Sequence, residues 1–143
     1  MIVIDASVFA KLFLNEDDSS AAEAVVNHAI ANGIELIAPS VLLYEALSIA
    51  LRHSVPFKAV MELLDGLRAG ALTLHEATLV ELMTAEKIAT TGHKKTGYPA
   101  LNDSIFHAMA IERGGLFVTA DQRHAAKTKQ FGRVVLLADW RPE

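Results

Sequence analysis

The chain has 143 residues, 13 lysines and arginines against 17 acids for a formal net charge of −4, and 52% hydrophobic residues. That length supports one domain, residues 1–143, with a core of its own, and the negative balance argues against a protein whose main work is coating nucleic-acid backbone. With no cysteine, disulfide scaffolds, thiolate zinc sites and cysteine nucleophiles are excluded together, so any metal must be held by oxygen or imidazole.

The opening, MIVIDASVFAKLFL, has no basic stretch ahead of its apolar run, and Asp5 and Lys11 interrupt it. Neither a signal peptide nor a membrane span fits, and a cytoplasmic location is expected. Ile2 to Ile4 reads as a first strand, followed by a helix through about Leu14. Asn15 to Ser19 is a polar break, with Glu16-Asp17-Asp18 expected as a solvated turn with capping duties. An alanine-rich helix then runs to about Ala31 and ends at Asn32-Gly33 as a C-cap would.

Ile34 to Ala38 reads as the second strand. Pro39 and Ser40 are start signals for a very apolar helix, VLLYEALSIALR, which Val55-Pro56 breaks. A helix from about Pro56 to Arg68, a strand from Ala71 to Leu74 and a helix from about Ala77 to Thr90 follow. The turn-rich, basic GHKKTGYP is the best candidate for a mobile loop. Beyond it come a helix from Asn102 to Arg113, the pair Gly114-Gly115, a strand from Leu116 to Thr119, a helix from Gln122 to Gln130 and a strand from Val134 to Leu137. Five short apolar runs alternating with helical ones predict an α/β fold with a central five-stranded parallel sheet.

In such a sheet every following helix starts at the carboxyl edge, where open α/β folds place ligands. Asp5 follows the first strand and Asp121 lies two residues past the end of the fourth. The helix feeding the fourth strand has its far end, with Asp103, at the same edge. Glu45 stands only about 7–8 Å along its helix from the start. Its neighbours Val41, Leu42 and Ile49 are apolar, so a carboxylate there needs a partner.

Taken singly, Asp5, Asp103 and Asp121 could each be a helix N-cap, and Glu45 could pair with Arg52 or Arg113. Four acids arriving from four parts of the chain instead suggest a site for a hard divalent cation, magnesium or manganese. Ser7 and Thr119 are placed to orient ligands or water. Bound cations of this kind can activate water for attack on phosphorus, which makes phosphodiester hydrolysis the natural reaction. No histidine pair has metal-ligand spacing; His107 is expected in the core or behind the acids, and His124 is expected exposed. Arg123, two residues from Asp121, is the best candidate for an RNA phosphate contact.

These pieces form a pattern. MIVIDASVFAKLFL with Asp5 and Ser7, APSVLLYEALSIAL with Glu45, and NDSIFHAMAIERGGLFVTADQR with Asp103, the paired glycines, Thr119 and Asp121 together resemble the PIN-domain ribonuclease family, most closely its short VapC-type toxins. The resemblance covers essentially the whole chain. It implies a three-layer PIN-like α/β/α sandwich and a Mg2+- or Mn2+-dependent endoribonuclease with Asp5, Glu45, Asp103 and Asp121 as metal-binding catalytic acids. It further implies a homodimer and a small VapB-type antitoxin. Other readings are a PIN-domain RNA-processing nuclease without an antitoxin and a catalytically inactive interaction module. A signalling receiver domain fits poorly, because Asp5 is followed by Ala6 rather than a second acid and no lysine follows the last strand.

Overall fold

A computed structural model describes all residues, 1–143. The strands are β1 (Ile2–Ile4), β2 (Leu36–Pro39), β3 (Leu72–His75), β4 (Leu116–Thr119) and β5 (Val134–Leu136). They form one sheet in the order β3-β2-β1-β4-β5 with every pairing parallel. β1 is central, its residues buried, as expected for a short apolar strand covered on both faces. The α-helices are α1 (Ala6–Phe9), α2 (Ser19–Asn32), α3 (Val41–Arg52), α4 (Phe57–Gly70), α5 (Leu79–Ala89), α6 (Leu101–Glu112) and α7 (Gln122–Thr128).

Strand order and the right-handed crossover rule assign the layers. The steps β1 to β2 to β3 run one way across the sheet and carry α1 to α4 to one face. The steps β3 to β4 to β5 run the other way and carry α5, α6 and α7 to the opposite face. α6 lies against β1, β2 and β4, and α5 packs on α6. The resulting three-layer α/β/α arrangement is the one expected. Its core centres on Phe9, Phe106, Phe117, Ile4 and Leu42, all enclosed, with the Phe106 and Phe117 rings stacked at 6.2 Å.

Local differences from the expected elements have identifiable causes. The first helix is one α-turn that tightens into a 3-10 turn at Ala10–Leu12 before the polar break. β2 begins at Leu36 because the Ile34 N–H is spent on the Ala29 carbonyl (2.8 Å), closing α2 behind Gly33, whose φ is 62°. The hydroxyl of Ser40 makes no cap bond; its N–H instead donates to His75 O. GHKKTGYP closes into a small turn through paired His93 and Gly97 backbone bonds. Glu16 and Asp18 are not simply solvated, because both pair with Lys11, whose side chain is only 10% exposed.

The turn from α6 to β4 needs its two glycines for different reasons. Gly114 takes φ 68° and lets the Gly115 N–H reach Ala110 O at 2.8 Å. A Cβ on Gly115 would stand 3.1 Å from the Met1 carbonyl. This tight return places the start of α6 at the same sheet edge as the end of β4. No helix is long and apolar enough to cross a membrane.

Candidate active site

The sheet order reverses between β1 and β4, so the crevice at their carboxyl ends is the topological switch point of the fold. Asp5 sits in it, 3% exposed, at the N-cap of α1. Its Oδ1 accepts from the Ser7 hydroxyl (2.5 Å) and the Val8 N–H (3.0 Å), and its Oδ2 accepts from the Thr119 hydroxyl (2.5 Å). Ser7 in turn accepts from the Ala120 N–H, and Thr119 from the Asp121 N–H, both at 3.0 Å. The two hydroxyls therefore join the ends of β1 and β4 through one carboxylate. Thr119→Val is expected to cost about 1–3 kcal/mol, since it strands a buried acceptor; chemical denaturation should show a lower midpoint at an unchanged slope.

Asp121 caps α7, accepting from the His124 N–H at 3.0 Å. The N-cap reading of Asp5 and Asp121 and the cluster reading are thus compatible: one oxygen caps the helix while the carboxylate still faces its neighbours. Asp103, in the first turn of α6, is pushed up to about 7, by burial first and then by the charges of Asp5, Asp121 and Glu45. Burial also raises Asp5, with a further push from Asp121, although its hydrogen bonds pull it down. Glu45 on α3 is raised by burial and by Asp5, and the Asn102 amide offsets part of this.

Glu45 forms no ion pair. Arg113 is committed to Glu81, and Arg52 pairs with no acid. Glu45 Oε1 is buried without a hydrogen-bond partner, an arrangement that costs free energy unless a cation or donor completes it. As placed, no three acids or imidazoles close around one point; what the structure has is Asp103 under the charges of Asp5, Asp121 and Glu45, with one Glu45 oxygen orphaned. Their hard oxygen donors fit magnesium or manganese and leave no soft ligand for other metals.

The raised acid makes a stability prediction. Asp103 holds its proton more tightly folded than unfolded, so its contribution is fully present below pH 4 and is lost as pH rises through about 7. In EDTA, the melting temperature is expected to fall between pH 5 and pH 8, and Asp103→Asn should flatten that slope. A slope unchanged by the substitution would sink the assignment.

His124 is a correction. Expected exposed, it is 2% exposed, because α7 turns its ring inward against Phe117. His107 is enclosed as expected. Its Nε2 faces Gly132 O at 2.6 Å and its Nδ1 faces His124 Nε2 at 3.2 Å. A carbonyl only accepts, so His107 carries its proton on Nε2 and His124 donates to Nδ1. Burial lowers both rings, His124 to about 4, with His107 adding to the shift. This neutral pair ties α6 to α7 and so spaces Asp103 from Asp121. Arg123 is exposed and lines the same depression as Asp103, Asp121 and Tyr98.

Sequence reasoning missed Asn102 beside Glu45, which no motif marks. It also passed over Glu81, although Thr78-Leu79-Val80-Glu81 is a readable capping box.

No protein of curated function matches this sequence. Among solved structures, VapC20 from Mycobacterium tuberculosis, described as a sarcin-ricin loop cleaving toxin, superposes with a TM-score of 0.67 at 15% identity, over 88% of this chain and 94% of that one. VapBC2 from Rickettsia felis, bound to a DNA fragment from its promoter, gives 0.67 at 17%, over 95% and 97%. FitAB bound to a DNA fragment gives 0.70 at 15%, over 99% and 98%. At these identities the likeness speaks for the fold. The sequence pattern of the PIN domain matches residues 2–130, from β1 through α7, and the chain belongs to the PIN domain family, with that family's α/β/α fold.

Proposed function

We propose that this protein is a metal-dependent endoribonuclease that hydrolyses RNA phosphodiesters and is the toxin of a toxin–antitoxin pair. The observation that carries the reading is the set Asp5, Glu45, Asp103 and Asp121 at the switch point, with Asp103 pushed up to about 7 by burial and then by the charges of the other three. Crowding of this kind is unfavourable in the bare protein and favourable around a cation. The toxin assignment is supported by the likeness to VapC20, VapBC2 and FitAB. Residues 1–143 act in it as one cytoplasmic PIN domain, working as a homodimer with a VapB-type antitoxin as partner.

The four carboxylates would hold magnesium or manganese. Bound there, the ion supplies Lewis acidity toward the phosphate and lowers the pKa of water. Ser7 and Thr119 hold the Asp5 carboxylate in one orientation, so the anionic edge of the site is fixed before substrate arrives. Asp103 must shed the proton it holds below about pH 7 before it can hold a cation, so affinity for the ion should rise with pH. Arg123, exposed in the depression that Asp103 and Asp121 also line, would pair with a phosphate of the strand.

The test is a gel assay on a mixed panel of single-stranded and transfer RNAs, with protein stripped of partner. Cleavage is expected with magnesium or manganese and none with EDTA. Cleavage undiminished by EDTA, or inert protein under every condition, would overturn the reading.

A further inference from the structure

Two depressions flank the four acids. One is lined by Tyr98, Asp103, Asp121, Arg123 and Lys127. The other runs along α3 and is lined by Tyr44, Glu45, Ser48, Arg52 and Asn102. Each has an acid of the site in its wall, a tyrosine and at least one cation. The nuclease chemistry uses neither Tyr44 nor Arg52.

The spacing of α3 builds the second groove. Tyr44, Ser48 and Arg52 follow one another at intervals of four, which stacks them on one stripe of the helix. Glu45 stands beside the stripe at its inner end, seven residues and about 10 Å of helix rise from Arg52. Tyr44 is 67% exposed, so its ring contributes little to the core. Arg52 is exposed and joins none of the ion pairs, which engage Lys11, Lys58 and Arg113. A free guanidinium and a bare aromatic ring on one stripe offer a counter-charge to a phosphate and a stacking face to a base.

We infer that this groove is a nucleotide subsite of the same site: one unpaired base stacks on Tyr44 and the phosphate beyond it pairs with Arg52. The strand then passes over the acids and leaves along Tyr98, Arg123 and Lys127. The ligand is single-stranded RNA, because a base in a duplex has both faces covered and offers none to a ring. Each groove sets cations beside the acids, Arg52 in one and Arg123 with Lys127 in the other, so a net-acidic protein still offers counter-charge to phosphates on both sides of the scissile bond. The identity of the ligand rests on the nuclease reading above.

The probe is a short fluorescein-labelled oligoribonucleotide carrying one 2-aminopurine, titrated into Asp103→Asn protein so that nothing is cut. Tyr44→Ala is expected to weaken binding roughly 5- to 150-fold and to abolish the 2-aminopurine quenching, while Tyr44→Phe restores both. Arg52→Gln should reduce the slope of log affinity against log salt by about 0.7. In the cleaving protein, both changes should raise KM and leave kcat close to its starting value. If Tyr44→Ala and Arg52→Gln bind and cleave RNA as their parents do, the subsite is overturned while the nuclease reading stands. The subsite is overturned equally if the changes leave RNA binding untouched and abolish binding of a protein partner. If no RNA is cut by the unsubstituted protein yet single-stranded binding depends on Tyr44, the subsite stands and the nuclease reading falls.

Discussion

Asp103→Asn protein, assayed on single-stranded RNA with magnesium or manganese, is expected to cleave at least about 100-fold more slowly than the unsubstituted protein, the usual effect of deleting one preorganised electrostatic group. The substitution preserves shape and removes only charge. Asp103 is the right target because Asp5, Asp121 and Glu45 all act on it, so it is the member that feels the whole set. The fold should survive, since Asn relieves repulsion at neutral pH rather than creating it. Addition of magnesium at pH 8 should raise the melting temperature of the unsubstituted protein; at a concentration 100 times the dissociation constant, the gain is about 2.7 kcal/mol. Both responses should vanish together in the variant. Cleavage retained by Asp103→Asn would remove this acid from the active centre, and a magnesium shift retained with cleavage lost would separate ion binding from chemistry.

Glu81→Ala is expected to destabilise the fold by about 3–5 kcal/mol, more than the loss of the Thr119 hydroxyl. Glu81 has a side chain only 3% exposed and meets the Arg113 Nε at 2.6 Å, bridging α5 to the end of α6. Its Oε2 also accepts from the Thr78 N–H at 2.9 Å, while Thr78 caps the Glu81 N–H. Removal leaves an arginine 22% exposed without its partner and opens the first turn of α5. Against a total stability of about 5–15 kcal/mol for a domain, this lowers the melting temperature by roughly 10 °C. Thermal unfolding of Glu81→Ala, Arg113→Met and the double variant Glu81→Met with Arg113→Met discriminates the cause. The double variant should recover most of the loss, because it removes the stranded charge as well as the pair. Equal loss in Glu81→Ala and the double variant, with little loss in Arg113→Met, would assign the effect to the cap instead, because only the first two remove the Glu81 carboxylate from Thr78.

The two sites give opposite pH dependence. Burial would raise Glu81, but Arg113 and the Thr78 cap hold it below the usual carboxylate range. Its stabilisation is present above the unfolded value and lost as pH falls through the lowered one. Asp103 is stabilising at low pH and loses that contribution toward pH 7. One acid limits the protein from the acid side and the other, in the absence of a cation, from the neutral side.

Much of this was legible in the chain because it depends on local patterns. The five strands emerged from short apolar runs bounded by polar or glycine breaks, and β4 matched at both ends because Gly114-Gly115 and the Thr119-Ala120-Asp121 turn bracket it. The convergence of Asp5, Glu45, Asp103 and Asp121 followed from topology alone, since parallel strands with right-handed crossovers leave few places for their leading ends. What topology could not convey is side-chain partnership. Arg113 was a possible partner for Glu45 and belongs to Glu81, because α5 packs along α6 and brings Glu81 within reach, a contact 32 residues apart in sequence. His124 looked like a surface residue until the angle of α7 turned it onto Phe117 and His107. Lys11, read only as a break in an apolar run, binds the acids of the following turn. The sequence by itself determined the order of elements and the edge at which the acids meet, because backbone periodicity and chirality are short-range. Only the tertiary structure decided which charges are neutralised and which are left open, because that depends on distances of a few ångströms between helices whose packing no local pattern encodes.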